Sequence, residues 1–196
     1  MDIQEQLAIL RAKVQAIQNR DEPAAPPRSV AFVEELLSGE VRETAFGQHF
    51  ETEKLYPNTH QHGFMNLRDL GQLAPDLLQA VSEGAVPECH PQRWAFLDTE
   101  TTGLAGGSGT YAFLVGIGSI DEEGFRVRQF FMRDYSEEAS QLSAVAQYLE
   151  RFDVLITYNG KSFDQPLLET RYRMCRARHP FERLGHLDLL YGARRL

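Results

Sequence analysis

The stretch Trp94-Ala-Phe-Leu-Asp98-Thr-Glu100-Thr-Thr-Gly103 constrains this chain more than any other, because an apolar run delivers two carboxylates one residue apart and then stops. A short continuous hydrophobic block closed by glycine reads as a strand covered on both faces. Its two acids then sit at a strand end. Side chains alternate along a strand, so Asp98 and Glu100 share a face, where like charges repel unless a proton or a divalent cation lies between them. Oxygen ligands of this kind suit magnesium or manganese. Taken alone, the spacing is equally that of two ordinary surface acids.

A second block sharpens the reading. Val154-Leu-Ile-Thr-Tyr-Asn159-Gly160-Lys161-Ser-Phe163-Asp164 is again an apolar strand, followed by Asn-Gly turn chemistry and then an acid. Residues 166–177 read as a helix: Pro166 suits the first turn, and Leu167, Leu168, Tyr172 and Cys175 recur on one side. Asp164 thus lies near a helix N-terminus, where a plain N-cap is the simpler role. If the two apolar strands are parallel neighbours, both acidic ends open at one sheet edge, and Asp98, Glu100 and Asp164 converge.

These two blocks together resemble the DEDD-type exonucleases of the ribonuclease H-like superfamily. Within it, residues 97–118, Tyr158-Asn-Gly-Lys-Ser-Phe-Asp164 and His186-Leu-Asp-Leu-Leu190 resemble bacterial proteins of the YprB type. The resemblance spans residues 93–196. It implies an α/β fold, a mixed sheet flanked by helices, here C-terminally incomplete and preceded by a helical N-terminal extension. It also implies 3'-5' exonuclease-like, two-metal hydrolysis of phosphodiesters in single-stranded DNA or RNA. Asp98, Glu100 and Asp164 would be both the catalytic residues and the ligands of Mg2+ or Mn2+, with two ions or only one bound. Thr101, Thr102 and Gly103 would meet the terminal nucleotide, while Asn159, Lys161 and Arg171 would contact nucleic acid.

Related enzymes carry a fourth acid in a third motif, after the strand that resembles His186 to Leu190. This sequence ends at Leu196, and Asp188 is the last acid in it. In the family pattern that position precedes the third motif, so Asp188 is expected to hold strand and loop by hydrogen bonds rather than to touch metal. The expected outcome is a nuclease impaired as this chain, with a non-catalytic nucleic-acid or protein binding module as the alternative.

At 196 residues the chain is long enough for one core without covalent staples. Cys89 and Cys175 make no disulfide framework, and with no signal peptide or long apolar span the expectation is a reduced, cytoplasmic protein with no membrane role. The formal charge of -8 argues against a generic polyanion binder, yet its distribution is segregated. From Asp98 to Glu169 acids outnumber Lys and Arg twelve to five, whereas seven arginines (171, 173, 176, 178, 183, 194 and 195) crowd the C-terminal end. They read either as a phosphate-binding face or as a solvated helix.

Upstream, Ile3, Leu7, Leu10, Val14 and Ile17 form a short heptad seam over residues 1–22, for a dimer or partner contact through residues 3–17. Residues 23–28, rich in proline, read as a stiff linker. Residues 29–90 are expected to pack on the core as an extension, with helices at 30–37 and 67–82, the second interrupted near Pro75, and an extended stretch at 44–56. The domain proper is placed at 91–196. There, residues 110–120 and 124–132 read as strands joined by Asp121-Glu-Glu-Gly124, and residues 138–152 as a helix. The glycine-rich run 103–109 precedes a strand rather than a helix, which excludes a nucleotide P-loop. His60-Gln-His62 reads as a polar loop before a metal pair.

Overall fold

A computed structural model describes residues 33–103 and 109–194. The expected heptad helix, the linker and the glycine run at 104–108 fall outside the described residues. After helix α1 (Val33–Leu36), strands β1 (Glu40–Thr44) and β2 (Gly47–Pro57) form a hairpin, followed by the short pair β3 (Gln61–His62) and β4 (Met65–Asn66). A 3-10 segment at Leu67–Gln72 and helix α2 (Leu77–Val81) lead to β5 (Trp94–Thr101), β6 (Ala112–Ile120) and β7 (Gly124–Phe131). Helix α3 (Glu138–Leu149), β8 (Val154–Thr157), helix α4 (Asp164–Met174), β9 (Gly185–Asp188) and helix α5 (Leu189–Ala193) complete the order.

The main sheet runs β1-β2-β7-β6-β5-β8-β9. Neighbours from β1 to β5 are antiparallel, while β5, β8 and β9 are parallel. The apolar blocks are buried on both faces, as their unbroken hydrophobicity requires. Ala95, Leu97 and Leu155 pack with Leu142, Val145 and Leu149 of α3 and Leu168 and Tyr172 of α4. Trp94, Phe96, Val154 and Ile156 instead meet Leu78 of α2, Val86 and Leu187 on the opposite face. Helices on both faces of a mixed sheet are the ribonuclease H-like arrangement. Among the described residues no helix is long and apolar enough to cross a membrane.

The expected helical extension takes a different form where it is described. Its stretch at 44–56 is β-structure that joins the sheet, β2 pairing with β7 from Phe50↔Phe131 to Pro57↔Gly124. Charge matching explains the fit, since Glu53 and Glu51 of β2 face Arg126 and Arg128 of β7. The hairpin is also tied to α3 by buried polar groups: His49 Nδ1 lies 2.9 Å from Ser140 Oγ and its Nε2 lies 2.8 Å from Glu51 Oε1. The interruption near Pro75 separates the 3-10 segment from α2. The predicted Asp121 turn closes through its own carboxylate, which accepts from the N–H groups of Glu123 and Gly124 at 2.9 and 3.0 Å.

Candidate active site

Strand length builds the site. Pairing of β5 with β8 stops at Phe96↔Ile156, while pairing with β6 continues to Glu100↔Leu114 and, after a bulge, Thr101↔Ala112. The acids are therefore inside the strand rather than beyond it, but they stand past the end of its parallel neighbour. Asp98 and Glu100 are exposed there, on the face that carries Trp94 and Phe96.

The chain leaving β8 returns to this edge through a tight loop. Asn159 adopts φ 66°, a left-handed conformation that asparagine tolerates better than most residues. At Gly160 a Cβ would stand 2.5 Å from Thr157, so only glycine fits. Asp188, 2% exposed at the end of β9, grips the loop from behind: Oδ1 accepts from the N–H of Asn159 at 2.7 Å and of Leu190 at 3.0 Å, and Oδ2 from the N–H of Lys161 at 3.0 Å. Burial works against its charge, yet these donors hold its carboxyl below the ordinary aspartate range. Asp188 thus has the hydrogen-bonding role anticipated for it.

Asp164 opens α4 and is 7% exposed. It is the first helical residue rather than the N-cap, a position taken by Phe163 with no capping side chain. Its Oδ1 instead accepts a 2.6 Å hydrogen bond from Thr99 Oγ1. Burial first, and then the charge of Asp98, push the Asp164 carboxyl above its usual range despite that bond. Asp98 and Asp164 are thus electrostatic neighbours across 66 residues of sequence. Among the described residues, no three His, Cys, Asp or Glu side chains form a group that could hold a metal ion, so the expected convergence of Asp98, Glu100 and Asp164 is not a preformed three-acid cluster here.

The other expected contacts divide. Lys161 is exposed, with Nζ 5.9 Å from the ring centre of Tyr191, at a cleft of about 800 Å³ lined in part by Val81, Ala85, Leu187 and Leu189. Thr101 Oγ1 donates to Gly103 O at 2.9 Å, and Thr102 exchanges hydrogen bonds with Tyr111, so both stitch the ends of the glycine run. Arg171 overturns its expectation. It is 2% exposed, its guanidinium engages both oxygens of Glu138, and it lies 3.7 Å from the ring centre of Tyr111. A side chain committed this way inside the protein is no surface ligand for phosphate. Arg183 is likewise occupied, donating to the carbonyls of Leu149 and Phe152 at the end of α3.

Sequence reasoning did not find Thr99, which lay in plain sight between the two acids, nor His186. The latter bridges Thr157 Oγ1 at 2.8 Å and Gln165 Oε1, and burial, followed by the Lys161 charge, lowers its pKa to about 4. A histidine next to a predicted strand was the available signal.

This geometry accords with comparison to known proteins. Residues 95–196 match the model of the RNase_H superfamily, and the chain belongs to that family. It is similar to the Bacillus subtilis (strain 168) protein named "Uncharacterized protein YprB", with 34% identity over 146 residues. That match takes in 72% of this chain and 35% of the relative, so the chain spans about a third of the relative's length.

Proposed function

We propose that the protein is a metal-dependent nuclease that hydrolyses phosphodiester bonds in single-stranded DNA or RNA, exonuclease-like in its site. The observation that carries this reading is the placing of buried Asp164 against the end of β5, through its bond to Thr99 and within reach of the Asp98 charge, where β5 outruns β8 and also carries Glu100. A carboxyl held above its usual range by burial and by the charge of a second acid fits a hard divalent cation, which removes that repulsion on binding. Asp98, Glu100 and Asp164 would hold Mg2+ or Mn2+, as two ions or one. When bound, such ions lower the pKa of water and stabilise the leaving oxygen.

The remaining work falls to the chain. Lys161, at the apolar cleft, would hold a phosphate of the strand while the cleft walls and Tyr191 accept its bases. Asn159 and the segment Thr101 to Gly103 border the same edge and would shape the path of the terminal nucleotide. The neutral ring of His186 fixes β8, β9 and α4 to one another beneath the loop.

The test uses labelled single-stranded RNA and DNA with millimolar Mn2+, comparing wild type with Asp98→Asn and Asp164→Asn. Slow cleavage by wild type, as expected of an impaired site, and at least a hundredfold loss in both variants is the expected result, since that ratio is about 3 kcal/mol of transition-state stabilisation. Wild type should also gain about 1.4 kcal/mol of stability at ten times the metal Kd, and Asp98→Asn should lose most of that gain. Nucleic-acid binding without cleavage by any form would make the domain a binding module instead.

A further inference from the structure

We infer that Thr99, the residue between the two acids of β5, is the positioning residue of this edge, fixing the Asp164 carboxylate against the end of β5. The functional consequence rests on the cation-site reading above; the positioning itself does not.

The inference starts from an unpaired length of strand. Beyond Phe96, β5 has no β8 residue opposite it, so this side of its backbone must find other partners. The Asp164 side chain meets this stretch of strand. Its Oδ1 accepts from the Thr99 hydroxyl at 2.6 Å. Threonine is well suited here, since its β-branch stiffens χ1 on a strand and aims the hydroxyl before Asp164 arrives.

The opposite pleat of the strand matters equally. Thr99 points away from the face that carries Asp98 and Glu100, toward the side on which α4 packs, and its hydroxyl meets Asp164 there. The bond uses one oxygen of Asp164 and leaves lone pairs for a cation. Asp188 sets where the loop runs, through the N–H groups of Asn159 and Lys161. Thr99 then sets which way the carboxylate at the loop's far end faces.

Partners that orient a ligand without touching the metal typically change metal affinity ten- to a hundredfold when removed. Thr99→Val keeps the shape and deletes only the hydroxyl. The 196-residue chain, its Thr99→Val and Thr99→Ser variants would be compared in two measurements. The first needs no metal: side-chain NMR couplings of Asp164 in a chelator. One rotamer is expected in wild type and Thr99→Ser, and averaged couplings in Thr99→Val. The second is the Mn2+ concentration giving half the maximal thermal shift, which should rise about tenfold in Thr99→Val and stay near wild type in Thr99→Ser.

A single, unchanged Asp164 rotamer in folded Thr99→Val would overturn the inference. Release of Asp164 in Thr99→Val, together with a wild type that shows no Mn2+ response, would uphold Thr99 as the positioning residue and reject the cation-site reading alone. Release of Asp164 with an unchanged Mn2+ midpoint would overturn the link from positioning to affinity.

Discussion

Away from the strand ends, buried carboxylates are matched to cations. Glu51 and Glu138 are each 8% exposed, and they meet Arg128 with His49, and Arg171, respectively. At the edge where β5 outruns β8, Asp98, Glu100 and Asp164 meet no basic side chain among the described residues, and Asp164 is pushed toward its protonated form. The same chain thus treats acids in two ways. Glu138 and Arg171 come from α3 and α4 and lock the two helices on one face of the sheet, a use of charge that contributes to folding. Asp164 is buried without a basic partner, at a cost to folding in its charged form, and that is the feature on which the proposed cation site rests.

The largest way to break this contrast is to remove one member of each group. Glu138→Ala leaves the Arg171 guanidinium buried without its carboxylate, and a loss of about 3–5 kcal/mol in denaturant unfolding is expected. In metal-free buffer, Asp98→Asn and Glu100→Gln should change stability by no more than about 0.5 kcal/mol, or raise it, since they relieve repulsion at exposed positions. Equal losses in the two groups would make the edge acids structural and remove the distinction.

That contrast also marks how far the sequence could be read. The order of strands and helices from Trp94 onward was legible because each element has its own period: continuous apolar runs at 94–97 and 154–156, a turn at Asp121 to Gly124, helical spacing after Glu138. The parallel pairing of β5 with β8, which brings their C-terminal ends to one edge, was legible from the two apolar blocks. Arg171 was misread, since an arginine in a basic run looks the same whether it faces water or an acid 33 residues away. The β1–β2 hairpin was legible as an extended stretch, but its place beside β7 depends on long-range charge pairs that no local period records. The bond from Thr99 to Asp164 was hidden for another reason: it exists because two strands differ in length, and boundaries are what periodicity resolves least well.

A smaller effect sharpens the contrast through pH. His186 is neutral in the fold because its pKa is lowered to about 4, whereas in the unfolded chain it titrates near the ordinary histidine value of about 6.5. Between those two values the unfolded chain binds the proton and the fold does not, so stability falls as pH drops through that window. The expected loss is on the order of 2 kcal/mol, less than the whole shift because the ring is partly exposed to solvent screening. His186→Gln should flatten unfolding free energy across the window. Asp188 acts in the same direction at lower pH: its depressed carboxyl contributes stability above the usual aspartate range, lost as pH falls through its folded pKa. Asp164 has the opposite sign. Its raised pKa makes the fold bind a proton before the unfolded chain does, so acidification through the aspartate range relieves the edge while it weakens the loop behind it.

The smallest expected effect on stability tests whether the basic C-terminal segment belongs with the matched charges or with the site. Arg173, Arg176 and Arg178 are exposed, and among the described residues no carboxylate pairs with them. Replacing all three by alanine should shift stability by less than about 0.5 kcal/mol, as surface changes usually do. Arg171 must stay out of that set, because its removal would unbalance Glu138 and confuse unfolding with lost binding. If the three arginines hold phosphates of a single strand, the slope of log affinity against log salt should become shallower by about 0.7 for each contact removed. An unchanged slope would make them a solvated face of the helix end, leaving Lys161 as the cation beside the acidic edge. A shallower slope with Mn2+ binding intact would instead join the segment to the site, so that the chain divides its charges by partner: acids matched within the fold, and arginines held in reserve for an anion from outside.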